Sequence, residues 1–147
     1  MSYYELIKLI KEVSLSHPFV NTFFNDRYSL IGGEDDIKYG VISLLNNTHQ
    51  IGTNISIYNF QFIYADRLTD YNNKKQLQSG GIQAITEICN ALRVKYDLDI
   101  TEDLNIDVFE NQFADECAGV ISTVSIVIRS NMGDCEWINS GKEVECL

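Results

Sequence analysis

Residues 55–66, ISIYNFQFIYAD, constrain the fold more than any other stretch. Tyr58, Phe60, Phe62 and Tyr64 fall on one side of an extended chain, and Ile57, Asn59, Gln61, Ile63 and Ala65 on the other. Period-2 alternation in aromatic and β-branched residues predicts a half-buried β-strand. At ~3.3 Å per residue the stretch spans roughly 40 Å, about twice the usual strand. Such a strand is either central to its sheet or one arm of a long projecting hairpin. A length of 147 residues fits one domain with a proper core.

The chain before this strand opens with a helix over residues 2–15. Leu6, Ile7, Leu9, Ile10 and Val13 share one face, and Ser2 with Glu5 makes a capping-box pattern. Pro18 stops the helix and biases His17 toward extended geometry. Phe19, Val20, Phe23 and Phe24 supply an apolar patch in a short strand or turn. Residues 25–38 read as an exposed loop, with a short strand near Tyr28 and Ile31. A strand over 39–45 follows, and residues 46–54, NNTHQIGTN, are rich in turn formers and read as the loop of a hairpin.

After the long strand, a polar bridge leads into a second helix that starts near Leu77 to Ser79 and ends near Tyr96. Its stripe is Ile82, Ile85, Cys89 and Leu92, with Ile88 and Tyr96 beside it. Gly80 and Gly81 weaken its first turns or allow close approach to the sheet. Residues 97–103 are acidic and turn-like. Two more strands are predicted over 104–109 and 120–129, the second apolar on both faces, which suits burial on both sides or a subunit contact. The order predicts an α+β fold: a mainly antiparallel sheet with a long β-hairpin and two helices packed on one face. Residues 1–129 form the single domain, and 130–147 a tail.

A formal net charge of −10, from 21 acids and 11 bases, argues against a nucleic-acid grip built on clustered Lys and Arg. Solubility is the simpler role of that charge; passing DNA without sticking is the other. Cys89, Cys117, Cys135 and Cys146 contain no C-x-x-C pair, and with only His17 and His49 they make no recognisable zinc pattern. The N-terminus lacks the apolar core of a signal peptide, and no run reaches the ~18 apolar residues of a membrane span. A reducing, intracellular setting is expected.

No stretch announces catalysis. Glu34, Asp35 and Asp36 lack the alternating ligand spacing of a calcium loop, so a solvated loop is favoured. Gly32-Gly33 and Gly80-Gly81 lack phosphate-loop and dinucleotide frames. Ser14, Ser16 and His17 sit in no nucleophile elbow. The Tyr58, Phe60, Phe62, Tyr64 row has no basic surround for stacking bases, and core packing is its favoured role. Asp66, Arg67 and Asp70 form an acid–base corner at a strand end, where a surface ion pair is the commoner meaning. No catalytic, cofactor-binding or metal site is assigned, and no cofactor.

The chain over residues 2–98 resembles small neck and tail-completion proteins of tailed bacteriophages, the tail terminators and head–tail connectors. The resemblance rests on the opening helix YYELIKLIKEV, the segment HPFVNTF at residues 17–23, LLNN at 44–47 and ADRL ending the aromatic strand at 65–68. It does not extend to the second hairpin or the tail. It implies a non-enzymatic virion protein, made in the host cytoplasm, forming a homo-oligomeric ring of roughly six or twelve copies. Such a ring adjoins other neck or tail proteins and surrounds DNA that passes without specific binding. The alternatives are a small-molecule-binding protein or enzyme using the Asp66/Arg67/Asp70 corner, and a cellular adaptor subunit.

On this view the interface residues are Asn46, Asn47, His49 and Ile51 near the hairpin tip, and Trp137 and Ile138 in the tail, since Trp is enriched at interface hot spots. Some of Glu34, Asp35, Asp36, Asp97, Asp99, Glu102 and Asp103 are expected to make the ring lumen acidic. The competing placement is the outer rim.

Overall fold

A computed structural model describes residues 1–25, 37–69, 73–101, 104–112 and 117–129. It is organised around β3, Ile55–Arg67, which pairs antiparallel along its whole length with β6, Cys117–Arg129, on one side and from Ser56 to Ala65 with β2, Val41–Ile51, on the other. The long strand is thus both central and one arm of a long hairpin. β1, Thr22–Phe24, adds to β2 in parallel, opposite Val41 to Ser43 only. Beyond β6 lie β4, Asp99–Ile100, and β5, Asn105–Gln112, both antiparallel to it. The described residues give a six-stranded, mostly antiparallel sheet and two helices, an α+β fold.

Both helices cover one face. α1, Tyr3–Ser16, starts at the expected capping box: Ser2 Oγ accepts the Glu5 N–H at 3.1 Å and Glu5 Oε2 accepts the Ser2 N–H at 3.4 Å. It ends at His17, whose backbone is extended ahead of Pro18. Leu6, Ile10 and Val13 enter the main core, where they meet Ile42, Leu44, Phe60, Phe62, Tyr64, Val120, Val124 and Ile126. Phe60 and Phe62 are fully buried, so the aromatic row packs the core as expected. A smaller cluster on the opposite face joins Val41, Ile63, Ala65, Phe109 and Cys117.

α2 spans Lys74–Val94 and begins about a turn before the predicted start, carried by Lys, Gln and Leu, which are good helix formers. Its inward face is Gly81, Ala84, Ile85, Ile88, Cys89 and Leu92. Ile82, placed on the stripe by the sequence reading, is instead 41% exposed, and Tyr96, placed beside it, follows the end of the helix at 40% exposure. The reason is proximity: a Cβ on Gly81 would lie 2.8 Å from Tyr64 Cδ1 and 2.9 Å from Val120 Cγ2. The helix backbone rests directly on the sheet, and only small residues fit at that contact.

Three further boundaries differ. β2 continues through the expected loop as far as Ile51, leaving only residues 52–54 to turn, closed by the Gly52 N–H donating to Ile55 O at 2.8 Å. The acidic stretch after α2 contains β4, entered through Asp97 in the left-handed region at φ 54°. The last two strands are longer than expected. The strand expected near Tyr28 and Ile31, and the tail 130–147, lie outside the described residues.

Candidate oligomerisation surface

β1 covers β2 only at its first three residues, so along residues 44–51 no described strand pairs with the outer edge of β2. An uncovered edge is a row of free N–H and C=O groups, which proteins usually protect with charge, proline or a covering element. Here the protection is weak. Residues 41–65 contain no Asp, Glu, Lys or Arg, and neither do residues 117–128, in a chain of net charge −10. Residues 44–51 also lack proline. The one device among the described residues is a bulge between Asn46 and His49.

That bulge is held by Asn59. Its Nδ2 donates to Thr48 O at 2.6 Å, and its Oδ1 accepts from Ser125 Oγ at 2.5 Å, so one side chain ties β2, β3 and β6 together. Asn46, Asn47, Thr48, Asn59 and Thr123 line a shallow neutral depression. Ile51 stands 69% exposed beside the turn. Asn46, Asn47 and Ile51, three of the expected interface residues, are therefore exposed strand residues on one uncharged edge rather than loop residues.

His49 is different. Its ring packs at 5.5 Å from Tyr3, 5.2 Å from Tyr58 and 5.6 Å from Phe60, centroid to centroid. Both ring nitrogens are buried without a hydrogen-bond partner. The imidazole works here as a flat apolar filler, pinning the start of α1 to the far half of the sheet. Burial also raises the Tyr3 phenol above its usual pKa, although the hydrogen bond with Asn46 acts against it.

The opposite side of the sheet ends in β5. No described strand pairs with its outer edge, and it carries Asp107, the 56%-exposed Val108 and Glu110, the last paired with Lys74 Nζ at 2.8 Å. Gln78 Nε2 donates to Phe109 O at 3.0 Å and fixes β5 to α2. The sequence reading missed this second edge. It also missed Asn59; the charge-free run around that residue was the available signal.

The other expected residues separate. Asp97 and Asp99 border a depression with Met1, Leu98, Val127, Ile128 and Arg129, and Asp99 Oδ2 accepts from Arg129 Nη2 at 2.9 Å. Asp66 is half-buried: Oδ1 accepts the Arg67 N–H at 2.8 Å and Oδ2 the Tyr64 hydroxyl at 3.4 Å. Burial raises its pKa, against the backbone hydrogen bond of Arg67, and burial raises that of Tyr64. No Asp66–Arg67 side-chain ion pair forms among the described residues, and Asp70, the third member of the expected corner, lies outside them. Glu34, Asp35, Asp36, Asp70, Glu102, Asp103, Trp137 and Ile138 lie outside the described residues.

Among the described residues no group of His, Cys, Asp and Glu is arranged to hold a metal ion. Cys89 and Cys117 are buried, and burial pushes the Cys89 pKa up to about 12. No described helix is long and apolar enough to cross a membrane. No family model and no curated protein matches the chain.

Proposed function

We propose that this chain is a non-enzymatic structural protein of a tailed bacteriophage, a tail-terminator or head–tail connector type subunit that closes into a ring around the DNA channel. One observation carries the reading: an acidic subunit keeps residues 41–65 of its central hairpin free of charge, and no described strand pairs with the far half of that hairpin's edge. An edge of that kind invites pairing with another chain, and closure of a ring covers it without any cofactor. The order of elements, with an opening amphipathic helix, a long aromatic hairpin and a second helix on the same face, agrees with the resemblance.

The face away from the helices is suited to a channel wall. It carries Asn59, Gln61, Thr123 and Ser125 along the centre of the sheet and Asp107 on β5. Neutral amides and hydroxyls bring no positive charge to hold phosphate, and acids repel it over about one Debye length, ~8 Å at physiological salt. The adjoining neck or tail proteins are the partners of the ring, and the virion is its destination.

Interrupting the gene in the phage tests this reading. The expected outcome is heads and tails that accumulate unjoined, or tails of uncontrolled length. Normal infectious particles assembled without the chain would overturn it.

A further inference from the structure

Resting on the ring reading, we infer that the seam between neighbouring subunits is a strand pair: the outer edge of β2 at residues 44–51 in one copy against the outer edge of β5 in the next. Three observations select β5 as the partner. The free part of β2, eight residues long, is ample to oppose Asn105 to Val108 of β5, the part that precedes Phe109 and its contact with Gln78. β5 lies on the opposite side of the same sheet, so the contact is head-to-tail and propagates in one direction. Strand direction also alternates from β2 through β3 and β6 to β5, so a neighbour in the same orientation meets β2 with an antiparallel β5.

Charge agrees with this choice. Pairing β5 with a second β5 would set Asp107 and Glu110 against the same acids, whereas β2 opposes them with no charge at all. β1 blocks the first residues of β2 and shifts the neighbour toward the hairpin tip. Successive sheets are then staggered along the strand direction, the offset that a closed, tilted sheet requires.

Edge-blocking variants test the seam. In an antiparallel pair successive residues point their N–H groups alternately inward and outward. Of Gln50→Pro and Ile51→Pro, and likewise of Asp107→Pro and Val108→Pro, one removes only an outward N–H. The variant of each pair that keeps the parent's circular dichroism and melting temperature is the one used. Should neither β2 proline be tolerated, Asn47→Glu with Gln50→Glu blocks that edge against the neighbour's acids.

The β2-blocked and β5-blocked proteins should each be monomeric alone, with self-association weakened at least ten-fold. Mixed, they should form a one-to-one dimer that grows no further, because one intact β2 edge and one intact β5 edge remain. Dimers of the β5-blocked variant alone would overturn the seam in favour of β2 pairing with itself. Rings formed by both blocked variants would overturn the seam and leave the ring reading standing. A parent chain that is monomeric at every concentration would remove both.

Discussion

Gly81 of α2 lies against the ring of Tyr64 in β3, so close that a single methyl group has no room: its Cβ would stand 2.8 Å from Tyr64 Cδ1. Gly80, one residue earlier, has only Phe19 within reach among the described residues, at 3.9 Å. The two neighbouring glycines therefore respond oppositely to the same substitution. Gly80→Ala gains helix propensity and should stabilise by about 0.5–1 kcal/mol. Gly81→Ala gains the same propensity but overpacks the core, at a cost of roughly 1–3 kcal/mol. Urea denaturation of both variants decides it. Two equal shifts of the same sign would mean that the helix does not rest on Tyr64.

His49 is predicted to act as a packed ring and not as a polar group. His49→Phe keeps the ring and removes two buried, unpartnered nitrogens, so stability should hold or rise by about 1 kcal/mol. His49→Ala opens a cavity among Tyr3, Tyr58 and Phe60 and should cost roughly 2–4 kcal/mol. A His49→Phe protein as unstable as His49→Ala would show that the imidazole nitrogens matter.

His17 joins the end of α1 to α2. Its Nδ1 accepts the Phe19 N–H at 3.1 Å, which leaves the proton on Nε2, facing Glu87 Oε2 at 3.1 Å. The His17 side chain is 7% exposed and that of Glu87 49%. Hydrogen bonds from Gln83 first, and then from His17, hold the Glu87 carboxyl below its usual pKa. His17→Ala removes a nearly buried ring that packs 5.1 Å from that of Phe19 and should cost roughly 1–3 kcal/mol, whereas Glu87→Ala, at the surface, should change the melting temperature little. Equal losses in thermal unfolding would place the weight on the ion pair instead.

Asp66 should make stability fall as pH rises. Burial raises its folded carboxyl pKa above the unfolded value, so the folded chain binds the proton more tightly across that interval. The destabilisation is complete above the folded value and absent below the unfolded one. Asp66→Asn keeps an oxygen for the Arg67 N–H without the charge. It should melt higher than the parent near neutral pH, with the gain shrinking as the parent's carboxyl is protonated. A gain that stays constant from neutral to acid pH would rule out the carboxylate as its cause.

The long aromatic strand, the capping box and the placement of both helices on one face were legible because periodicity and caps act locally. What failed was decided by pairing. NNTHQIGTN has the composition of a loop, yet β3 extends as far as Ile55, and a hairpin with a tight turn keeps both arms in step, so Asn46 to Ile51 become strand. The bulge accommodates part of that conflict, with Asn59 holding it. Ile82 gave way to Gly81 and Ala84 because the distance between helix and sheet, which no local pattern encodes, selects small residues. The edges of β2 and β5 that no described strand pairs depend on which strands are neighbours, so they became visible only with the topology.

The mass of the purified protein in native buffer, measured by native mass spectrometry over a range of concentrations, tests the ring most directly. The account predicts one dominant closed species of roughly six or twelve chains, with no ladder of larger forms above it. A single-chain mass at every concentration, or an open-ended series of oligomers, would contradict it.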